Sequence, residues 1–515
     1  MTGREDGVGR EFWRVTLEDL AEAMEGRQSE YGNPDEPLKF KIYRGLPRRP
    51  LTIRVPRRLT EVETLDEPAL STLLRYGYGI SRQEFDTNGT WPYHRMVASA
   101  RCLFGVQLYV CLADGVHHYD APHHALVRLR VGDHRGLLAG ATGTTGALPP
   151  AVFVLSGLLA KTAYIYRDYA YRLCTQEAGL LAGNLDLVAR SMGLRTHVHH
   201  QFLDEPVHKL LGLDGDQEPA LMVLPLHDTD HGMRRDPVPR TAAALAATID
   251  PIAPTVVGGA LDVARTCPTL TEVNRASLRA DTAAFATADP VAPGLPGAEP
   301  LPLPEKGIPE ANTADLLRAR DSGPGIFRPA PTQVDGIELW ARLARARTGA
   351  TSDAVPAGAP VPLEIFLTVG DLTGVPPGCY RLDQVTGALH PVDRADTGVD
   401  AVTAIERVTI PGPVFKDMNA VVHLVGDRDW AFDTFGDRGY RVINQEAGLL
   451  AHRVCVAAAA QGMSGRVINA YHAEGVRAAL GLTEQRHTPV FQILLAGTGP
   501  GGRVIVPVEP EAVDR

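Results

Sequence analysis

The chain has 515 residues, 44% of them hydrophobic and 22% charged, which is an ordinary soluble composition and a length that excludes a single small core. Its formal net charge of -10 excludes a global field that attracts nucleic acid or anionic lipid. The amino terminus is charged throughout, and no apolar run approaches the roughly 20 residues that span a bilayer. The six cysteines include no CxxC pair, which argues against a disulfide framework. We therefore expect a cytoplasmic protein that binds neither nucleic acid nor membrane.

The first half of the chain predicts an α+β domain over residues 61–288, preceded by an N-terminal arm at residues 1–60. Short strands are predicted at Leu108–Leu112 and Ala220–Leu226. Between them, apolar residues recur at helical spacing over Tyr171–Gly193, where a glycine suits the end of a helix. The apolar stripe is wide, so we expect this helix to be buried in the middle of the domain.

The second half of the chain repeats the first. Residues 440–451 read YRVINQEAGLLA and residues 171–182 read YRLCTQEAGLLA, with nine of the twelve positions identical and two further blocks recurring in the same order. A repeat of this length is a whole domain rather than a solenoid unit. Seven prolines from Pro290 to Pro309 predict an extended linker over residues 289–310, so the second domain is expected at residues 311–515.

A duplicated domain indicates a homodimeric fold that has been fused into one chain. The helices predicted at 171–193 and 440–462 should then pack against each other, each beside a mixed or antiparallel sheet. The second copy should carry strands at Ile365–Val369 and Val490–Ala496, which correspond to those of the first. The pattern leaves open whether the duplicated chain dimerises further.

Several residues of the first copy carry a family resemblance. Arg95, Ser99 and Arg101 lie in a loop that leads into the strand at 108–112, and Tyr166 lies just before the long helix. These blocks resemble the SagB/ThcOx-type nitroreductase-like azoline dehydrogenases, although the loop departs from the family pattern at two prolines, a glycine and a glutamate. The resemblance implies an α+β protein of two tandem nitroreductase-like domains, dependent on flavin mononucleotide (FMN), that form an intramolecular pseudo-dimer.

The resemblance also implies one composite flavin site with parts from both copies. The phosphate of FMN needs cationic and hydroxyl donors in fixed geometry. In this family an R-x-S segment holds that phosphate, which implies Arg320 and Ser322 of the second copy. Arg95, Ser99 and Arg101 of the first copy would then contact the flavin.

Other assignments within this site stay open. Arg27 and Ser29 form a rival R-x-S pair that could complete a site within the first copy. His199 and His200 fall where flavoproteins of this type approach the ring from a loop, so flavin contact is expected for both. A metal site is not expected, because no cysteine or paired carboxylate joins the histidines at zinc spacing.

The resemblance further implies a catalytic tyrosine. A Lys-Tyr pair before the central helix is the acid/base element of the family, and this position reads Ile165-Tyr166 here. We therefore predict that Tyr166 is catalytic, with Arg167 or Lys161 as the cationic neighbour that a phenol of pKa about 10 needs at neutral pH. A packing role in the core is the alternative. The second copy has Phe435 at this position.

The implied reaction is oxidation of thiazoline or oxazoline rings to thiazole or oxazole in a ribosomally synthesised peptide. FMN would be the cofactor, dioxygen the electron acceptor, and a precursor peptide and a cyclodehydratase complex the partners. Two other functions stay open: a general flavin reductase acting on nitro or enone compounds, and a flavin-free scaffold subunit of a peptide-modifying complex.

Overall fold

A computed structural model of the chain describes residues 7–19, 23, 36–85, 91–228, 234–258, 261–286, 299–305, 307–346, 351–356, 359, 361–392, 400–410, 415–499, 502–509 and 511–513. The structural statements below concern these residues. The rival pair Arg27 and Ser29 and residues 289–298 of the expected linker lie outside them.

Two long helices lie at the centre of the molecule, Ala170–Ser191 and Gly439–Ala459, and we call them the first and second central helices. They cross where Gly179 meets Gly448. A Cβ atom on Gly179 would lie 2.0 Å from the carbonyl oxygen of Gln445, and one on Gly448 would meet the facing backbone at 2.2 Å. Two backbones can approach so closely only where side chains are missing. The crossing confirms the predicted helix pair at the centre of a fused dimer.

The first copy contains one antiparallel sheet of seven described strands. In sheet order these are Arg48–Pro50, Ala125–Val131, Gly115–Asp120, Val106–Leu112, Ala151–Gly157, Ala220–His227 and Arg195–Thr196. The strands predicted at 108–112 and 220–226 are confirmed, and each is slightly longer than expected. The first central helix packs against Ala151–Gly157, Ala220–His227 and the edge strand Arg195–Thr196, which buries its wide apolar stripe.

The second copy repeats this arrangement with seven described strands. They are Pro329–Ala330, His487–Thr498, Ala420–Asp427, Leu363–Val369, Gly378–Leu382 and Leu389–Pro391 in sheet order, with Ser464–Ile468 also paired to His487–Thr498. The strands predicted at 365–369 and 490–496 are confirmed. The largest buried apolar cluster is continuous through both copies, so the two sheets and the central helices share one core.

The end of the described chain crosses from the second copy to the first. Val504–Pro507 pairs with Ile80–Phe85, which also pairs with Tyr93–Arg95. Glu511–Val513 then pairs in parallel with Arg54–Pro56. These pairings join segments from opposite ends of the chain and hold the carboxyl-terminal segment against the first copy.

The other described α-helices are shorter than the central pair. They span Val8–Trp13, Glu67–Tyr78, Arg135–Ala141, Leu159–Tyr166, Asp204–Leu211, Ala242–Ala246, Val263–Thr266, Pro268–Ala276, Thr313–Ala319, Gly336–Ala344, Ala401–Val408, Arg428–Phe435 and Ala473–Ala479. Within the described part of the chain, no helix has the length and hydropathy needed to cross a membrane.

Candidate functional site

A short loop of the first copy, residues 99–104, has an unusual backbone, and we call it the strained loop. Arg101, Cys102 and Phe104 have φ angles of 49°, 56° and 50°. Residues with a Cβ atom rarely adopt this left-handed region, and each costs about 1–3 kcal/mol unless the surroundings enforce it. Strain of this kind concentrates where a protein binds a ligand or does chemistry.

Buried polar groups hold the strained loop in place. The Ser99 hydroxyl donates to Glu177 of the first central helix at 2.5 Å and accepts from the backbone N–H of Phe104 at 2.8 Å. Glu177 also accepts from the backbone N–H of Val106 at 3.0 Å. Burial raises the pKa of Glu177, against the effect of these hydrogen bonds. The carboxyl group therefore anchors both ends of the loop.

Arg95 lies beside the same loop and contacts aromatic rings. Its guanidinium lies 4.1 Å from the ring centroid of Tyr78 and 5.0 Å from that of Phe104. Its buried Nε has no hydrogen-bond partner among the described residues. Arg101 is exposed at the turn of the strained loop. The structure thus brings the predicted residues Arg95, Ser99 and Arg101 together.

Four buried or partly buried arginines lie next to the strained loop, and we call them the arginine cluster. They are Arg82, Arg320, Arg466 and Arg503. Glu84 and Asp321 lie among them. Four guanidinium groups face two carboxylates, so the cluster carries a surplus of two positive charges.

The two carboxylates of this cluster bridge Arg82 and Arg503. Arg82 donates to Glu84 at 3.1 Å and to Asp321 at 2.8 Å, and Arg503 donates to the same two groups at 3.1 Å and 2.6 Å. Burial alone would raise the pKa of Asp321, but the hydrogen bond from Arg503 and the charges of Arg82 and Arg503 lower it to about 2. Both carboxylates are already paired, which leaves the surplus charge with Arg320 and Arg466.

Arg320 joins the second copy to the first. It is 3% exposed, and it donates to the carbonyl oxygens of Met96 at 3.1 Å and Arg95 at 3.2 Å and to the hydroxyl of Ser322 at 3.4 Å. Arg466 donates to the carbonyl of Ser322 at 2.8 Å and to the carbonyls of the residues that follow it. The predicted pair Arg320 and Ser322 therefore lies at the boundary with the strained loop, although its donors point to protein acceptors.

Tyr166 lies on the other side of the strained loop. It is half-buried at the end of the helix Leu159–Tyr166 and packs against a small apolar cluster of Trp91, Leu103, Tyr164 and Ile165. Leu103 belongs to the strained loop, so this cluster connects Tyr166 with the loop. Lys161, one of its two expected cationic neighbours, instead donates to the carbonyl oxygens of Lys39 and Phe104.

The predicted residues His199 and His200 lie apart from these groups, in what we call the histidine cluster of His197, His199 and His200. His200 contacts Gln445 and Glu446 of the second central helix, each at 2.8 Å. His199 forms an ion pair with Asp353 at 3.5 Å when protonated. Neither residue is brought to the strained loop. Within the described ranges, no three His, Cys, Asp or Glu side chains converge in a way that could hold a metal ion.

The surroundings of Glu446 in the second copy correspond to those of Glu177 in the first. Glu446 is the repeat counterpart of Glu177, and the hydroxyl of Ser352 donates to it at 2.6 Å, as Ser99 donates to Glu177. The offset of 269 residues that relates Glu177 to Glu446 also relates His197 to Arg466. The molecule thus has two related sites, of which only the first contains the arginine cluster.

Sequence reasoning missed several of these residues. Ser352 was overlooked because its spacing to the repeated glutamate differs from that of Ser99, although the recurrence of Glu177 as Glu446 pointed to such a partner. Arg466 and Arg503 carry no local motif. Arg503 reaches the site only through the long-range pairing of Val504–Pro507, which no periodicity reveals.

The positive charge of the first site suits a phosphate group. A phosphate monoester carries about -1.5 to -2 charges at neutral pH, which matches the surplus of the arginine cluster. Ser322 adds a hydroxyl beside Arg320. Guanidinium groups also have the planar donor geometry that binds phosphate oxygens well.

Comparisons with known proteins agree with this architecture. Residues 60–226 match the model of the nitroreductase family. A protein of Methanocaldococcus jannaschii assigned as a nitroreductase is 28% identical over 166 residues, which cover 30% of this chain and 78% of that protein.

A crystal structure from Anabaena variabilis, also assigned as a nitroreductase, covers 96% of this chain and 100% of its own, with 18% identity and a TM-score of 0.71. The similarity extends over both copies and the crossing between them. The chain has a nitroreductase-like α+β fold.

Proposed function

We propose that the chain binds one FMN at the strained loop and the arginine cluster and uses it to oxidise azoline rings in a ribosomally synthesised peptide. The observation that carries the proposal is the buried surplus of two positive charges, supplied mainly by the second copy, directly beside a strained loop of the first. A site of this composition accepts a phosphate-bearing ligand that bridges the two copies. The nitroreductase-like fold supports a flavin as that ligand.

Arg320, Ser322 and Arg466 would hold the phosphate, because Arg82 and Arg503 are paired with Glu84 and Asp321. For Arg320 this requires that phosphate oxygens replace the carbonyl acceptors of Arg95 and Met96. Ser99 and the strained loop would lie against the ring, and Arg95 would supply a cation with a free donor. The bound flavin supplies the two-electron oxidation, and dioxygen would regenerate it.

Tyr166 is the chain's proposed acid/base residue. It lies at the edge of the site, half-buried against Leu103 and its neighbours, where a substrate ring could reach its hydroxyl. The choice of azolines as substrates depends on the resemblance of this region to the azoline dehydrogenases. A precursor peptide and a cyclodehydratase complex are the partners that this substrate requires.

The test begins with the purified protein and FMN. We expect a yellow protein that absorbs at about 450 nm, because bound oxidised flavin has this colour. Incubation with an azoline-containing peptide and dioxygen should remove two hydrogens per ring, measured by mass spectrometry. A colourless protein that FMN cannot reconstitute would favour the scaffold function. A yellow protein that leaves azolines unchanged but reduces nitroaromatic compounds with NADPH would favour the general reductase.

A further inference from the structure

An edge strand of the described chain lies beside the arginine cluster. Val504–Pro507 pairs on one side with Ile80–Phe85, and no described strand pairs with its other side. All four of its residues are exposed, and none is charged. Proteins usually protect a free edge with charges or proline, because an exposed apolar strand pairs with other chains. This strand has only Pro507, at its end. We call the unpaired side of Val504–Pro507 the open edge.

The open edge presents backbone groups that can pair. In an antiparallel ladder, successive residues direct their N–H and carbonyl groups to alternate sides. The N–H of Val508 donates to Ser81 at 3.0 Å, so the residues two and four positions before Val508 face the same neighbour. The N–H of Glu84 donates to Pro92 at 2.7 Å, on the far side of the neighbouring strand, as this alternation requires. Ile505 therefore directs its N–H and its carbonyl to the open edge.

Exposed apolar side chains flank the open edge on both faces of the sheet. Residues that lie opposite each other in the pairing share a face, so Val504, Phe85 and Val506 lie on one face. They are 61%, 52% and 45% exposed. Ile505 is 44% exposed and lies on the other face, with Glu84. Exposed apolar groups that are grouped rather than scattered mark a site of interaction.

The face of Glu84 belongs to the proposed active site. Glu84 and Asp321 accept from Arg503, which directly precedes the open edge. The strand Ile80–Phe85 also pairs with Tyr93–Arg95, which leads into the strained loop. Two strand spacings, about 10 Å, therefore separate the open edge from Tyr93–Arg95. An extended chain covers that distance in about three residues.

We propose that the open edge binds an extended stretch of the peptide substrate, which adds to this sheet as a further strand. The inference rests on the proposed function. The N–H and carbonyl of Ile505 and the carbonyl of Pro507 would pair with the main chain of the peptide, and the exposed apolar groups would contact its alternate side chains. An azoline ring has no amide N–H, so the paired stretch lies beside the ring rather than at it. Main-chain pairing tolerates most side chains, so one edge can hold peptides whose rings lie at different positions.

The length of the open edge favours a peptide over a second copy of the chain. Four residues of strand span about 14 Å. A stable interface between two proteins buries about 800 Å² on each partner, which four residues of edge do not supply. Two copies paired edge to edge would also place Pro507, which has no N–H, at both ends of the ladder. A weak contact suits a peptide that must move on after each ring is oxidised.

The kinetic test compares two substitutions of Ile505 in the full chain loaded with FMN. Ile505→Pro removes the outward N–H but no bond to Ile80–Phe85, and proline is tolerated on edge strands. Ile505→Ala is the matched control, because it shortens the same side chain and keeps the N–H. With a short synthetic peptide that contains one thiazoline, Ile505→Pro should lower kcat/KM about tenfold, mainly through KM, and Ile505→Ala clearly less. Both variants should retain as much FMN as the wild type.

A second measurement uses the wild-type protein alone. N-methyl groups on alternate residues of the peptide remove the N–H groups along one of its edges, and moving them by one residue removes those of the other edge. One of the two methylated peptides should bind about tenfold more weakly, while the other binds like the parent peptide. The parent peptide should also slow hydrogen exchange of the Ile505 amide, which exchanges fast in the free protein because it faces the open edge.

The outcomes separate this inference from the proposed function. If the wild type oxidises the thiazoline and Ile505→Pro matches Ile505→Ala, the inference fails while the proposed function stands. Equal affinity of the two methylated peptides, or an Ile505 amide that exchanges slowly without peptide, would overturn it as well. A dimer of the chain that Ile505→Pro dissociates would overturn it in favour of a second copy. If the wild type binds the peptide with the expected pattern but oxidises no azoline, the proposed reaction fails and the open edge remains a peptide-binding site.

Discussion

At the scale of single residues, the first site combines costly features that support one another. The strained loop has left-handed φ angles at Arg101, Cys102 and Phe104. The buried carboxyl group of Glu177 accepts the hydrogen bonds that fix this backbone. The loop persists because the surrounding hydrogen bonds leave it no alternative conformation. Such features are expected where positioning matters more than stability.

Arg320 provides the first prediction. Replacing it by alanine removes a charge-assisted contact to the phosphate, worth about 1.5–3 kcal/mol, so FMN affinity should fall about ten- to hundredfold. Arg320→Lys should recover part of the loss, because it keeps the charge but not the planar donors. Affinity is measured by titration of the apoprotein with FMN. The control is Arg486→Ala, since Arg486 is exposed and paired with Asp427 rather than with a residue of the arginine cluster. Unchanged FMN affinity in Arg320→Ala would favour Arg27 and Ser29 as the pair that binds the phosphate.

Tyr166 provides the second prediction. Tyr166→Phe should retain flavin and fold but lose about 10²-fold or more in the rate of azoline oxidation, because only the hydroxyl is removed. The rate is measured by loss of two hydrogens from the peptide. Phe435 lacks a hydroxyl at the equivalent position, so Phe435→Leu should alter stability without a comparable change in rate. Full activity in Tyr166→Phe would leave the reaction class intact and remove Tyr166 from the chemistry.

At the scale of elements, the two central helices were predictable because their signals are local. The helical spacing of apolar residues and the repeated QEAGLLA segment both lie within one stretch of sequence. The ends at Ser191 and Ala459 came close to expectation, and Gly193, with φ 77°, follows the first helix as a glycine cap should. The partner of Val504–Pro507 had no such signal, since pairing depends on residues far away in the chain.

The crossing of the central helices provides the third prediction. Gly179→Ala would place a methyl group 2.0 Å from the carbonyl oxygen of Gln445, so the helices must separate. Such overpacking costs about 1–3 kcal/mol or more in free energy of unfolding. Gly136→Ala is the control, since Gly136 is exposed in a helix and its new Cβ would have no neighbour closer than 3.9 Å. That change should instead stabilise by up to about 1 kcal/mol. Denaturant unfolding of both variants gives the comparison, and equal midpoints would refute the tight crossing.

At the scale of the whole molecule, duplication has produced two related sites with different charge. The first contains four arginines against two carboxylates, whereas the second contains three histidines with Asp353 and Glu446. The sequence prediction assigned His199 and His200 to the flavin because the resemblance places them on a loop that approaches the ring. In the fold, each site takes its parts from both copies, so Ser99 lies at one site and His200, from the same copy, at the other.

The histidine cluster provides the fourth prediction. Burial opposes a charged imidazole, but the hydrogen bond and charge of Glu446, with Asp353 nearby, raise the pKa of His200 above 6.5. A raised folded-state pKa gives stabilisation that is fully present below about pH 6.5 and is lost as pH rises through the folded-state value. The free energy of unfolding should therefore fall from about pH 6.5 upward, and His200→Gln should flatten this dependence. His472→Gln, at an exposed position, should leave it unchanged. A wild type with no slope above about pH 6.5 would contradict the assignment.

The last prediction concerns stoichiometry, because the two sites differ in the charge that a phosphate needs. Burial and the neighbouring His199 lower the pKa of His197 to about 3, so it is neutral where Arg466 is charged. Burial works against ionisation of Asp353, yet its hydrogen bond to His199 and the nearby imidazoles lower its pKa to about 2, which keeps a negative charge in the second site. A phosphate dianion is therefore repelled there and attracted to the first site. Flavin released by acid from a saturated protein should amount to one FMN per chain. Arg466→Ala should lower this occupancy and His197→Ala should not, although the two residues occupy equivalent positions. Two flavins per chain, or equal losses in both variants, would show that the sites have kept the same function.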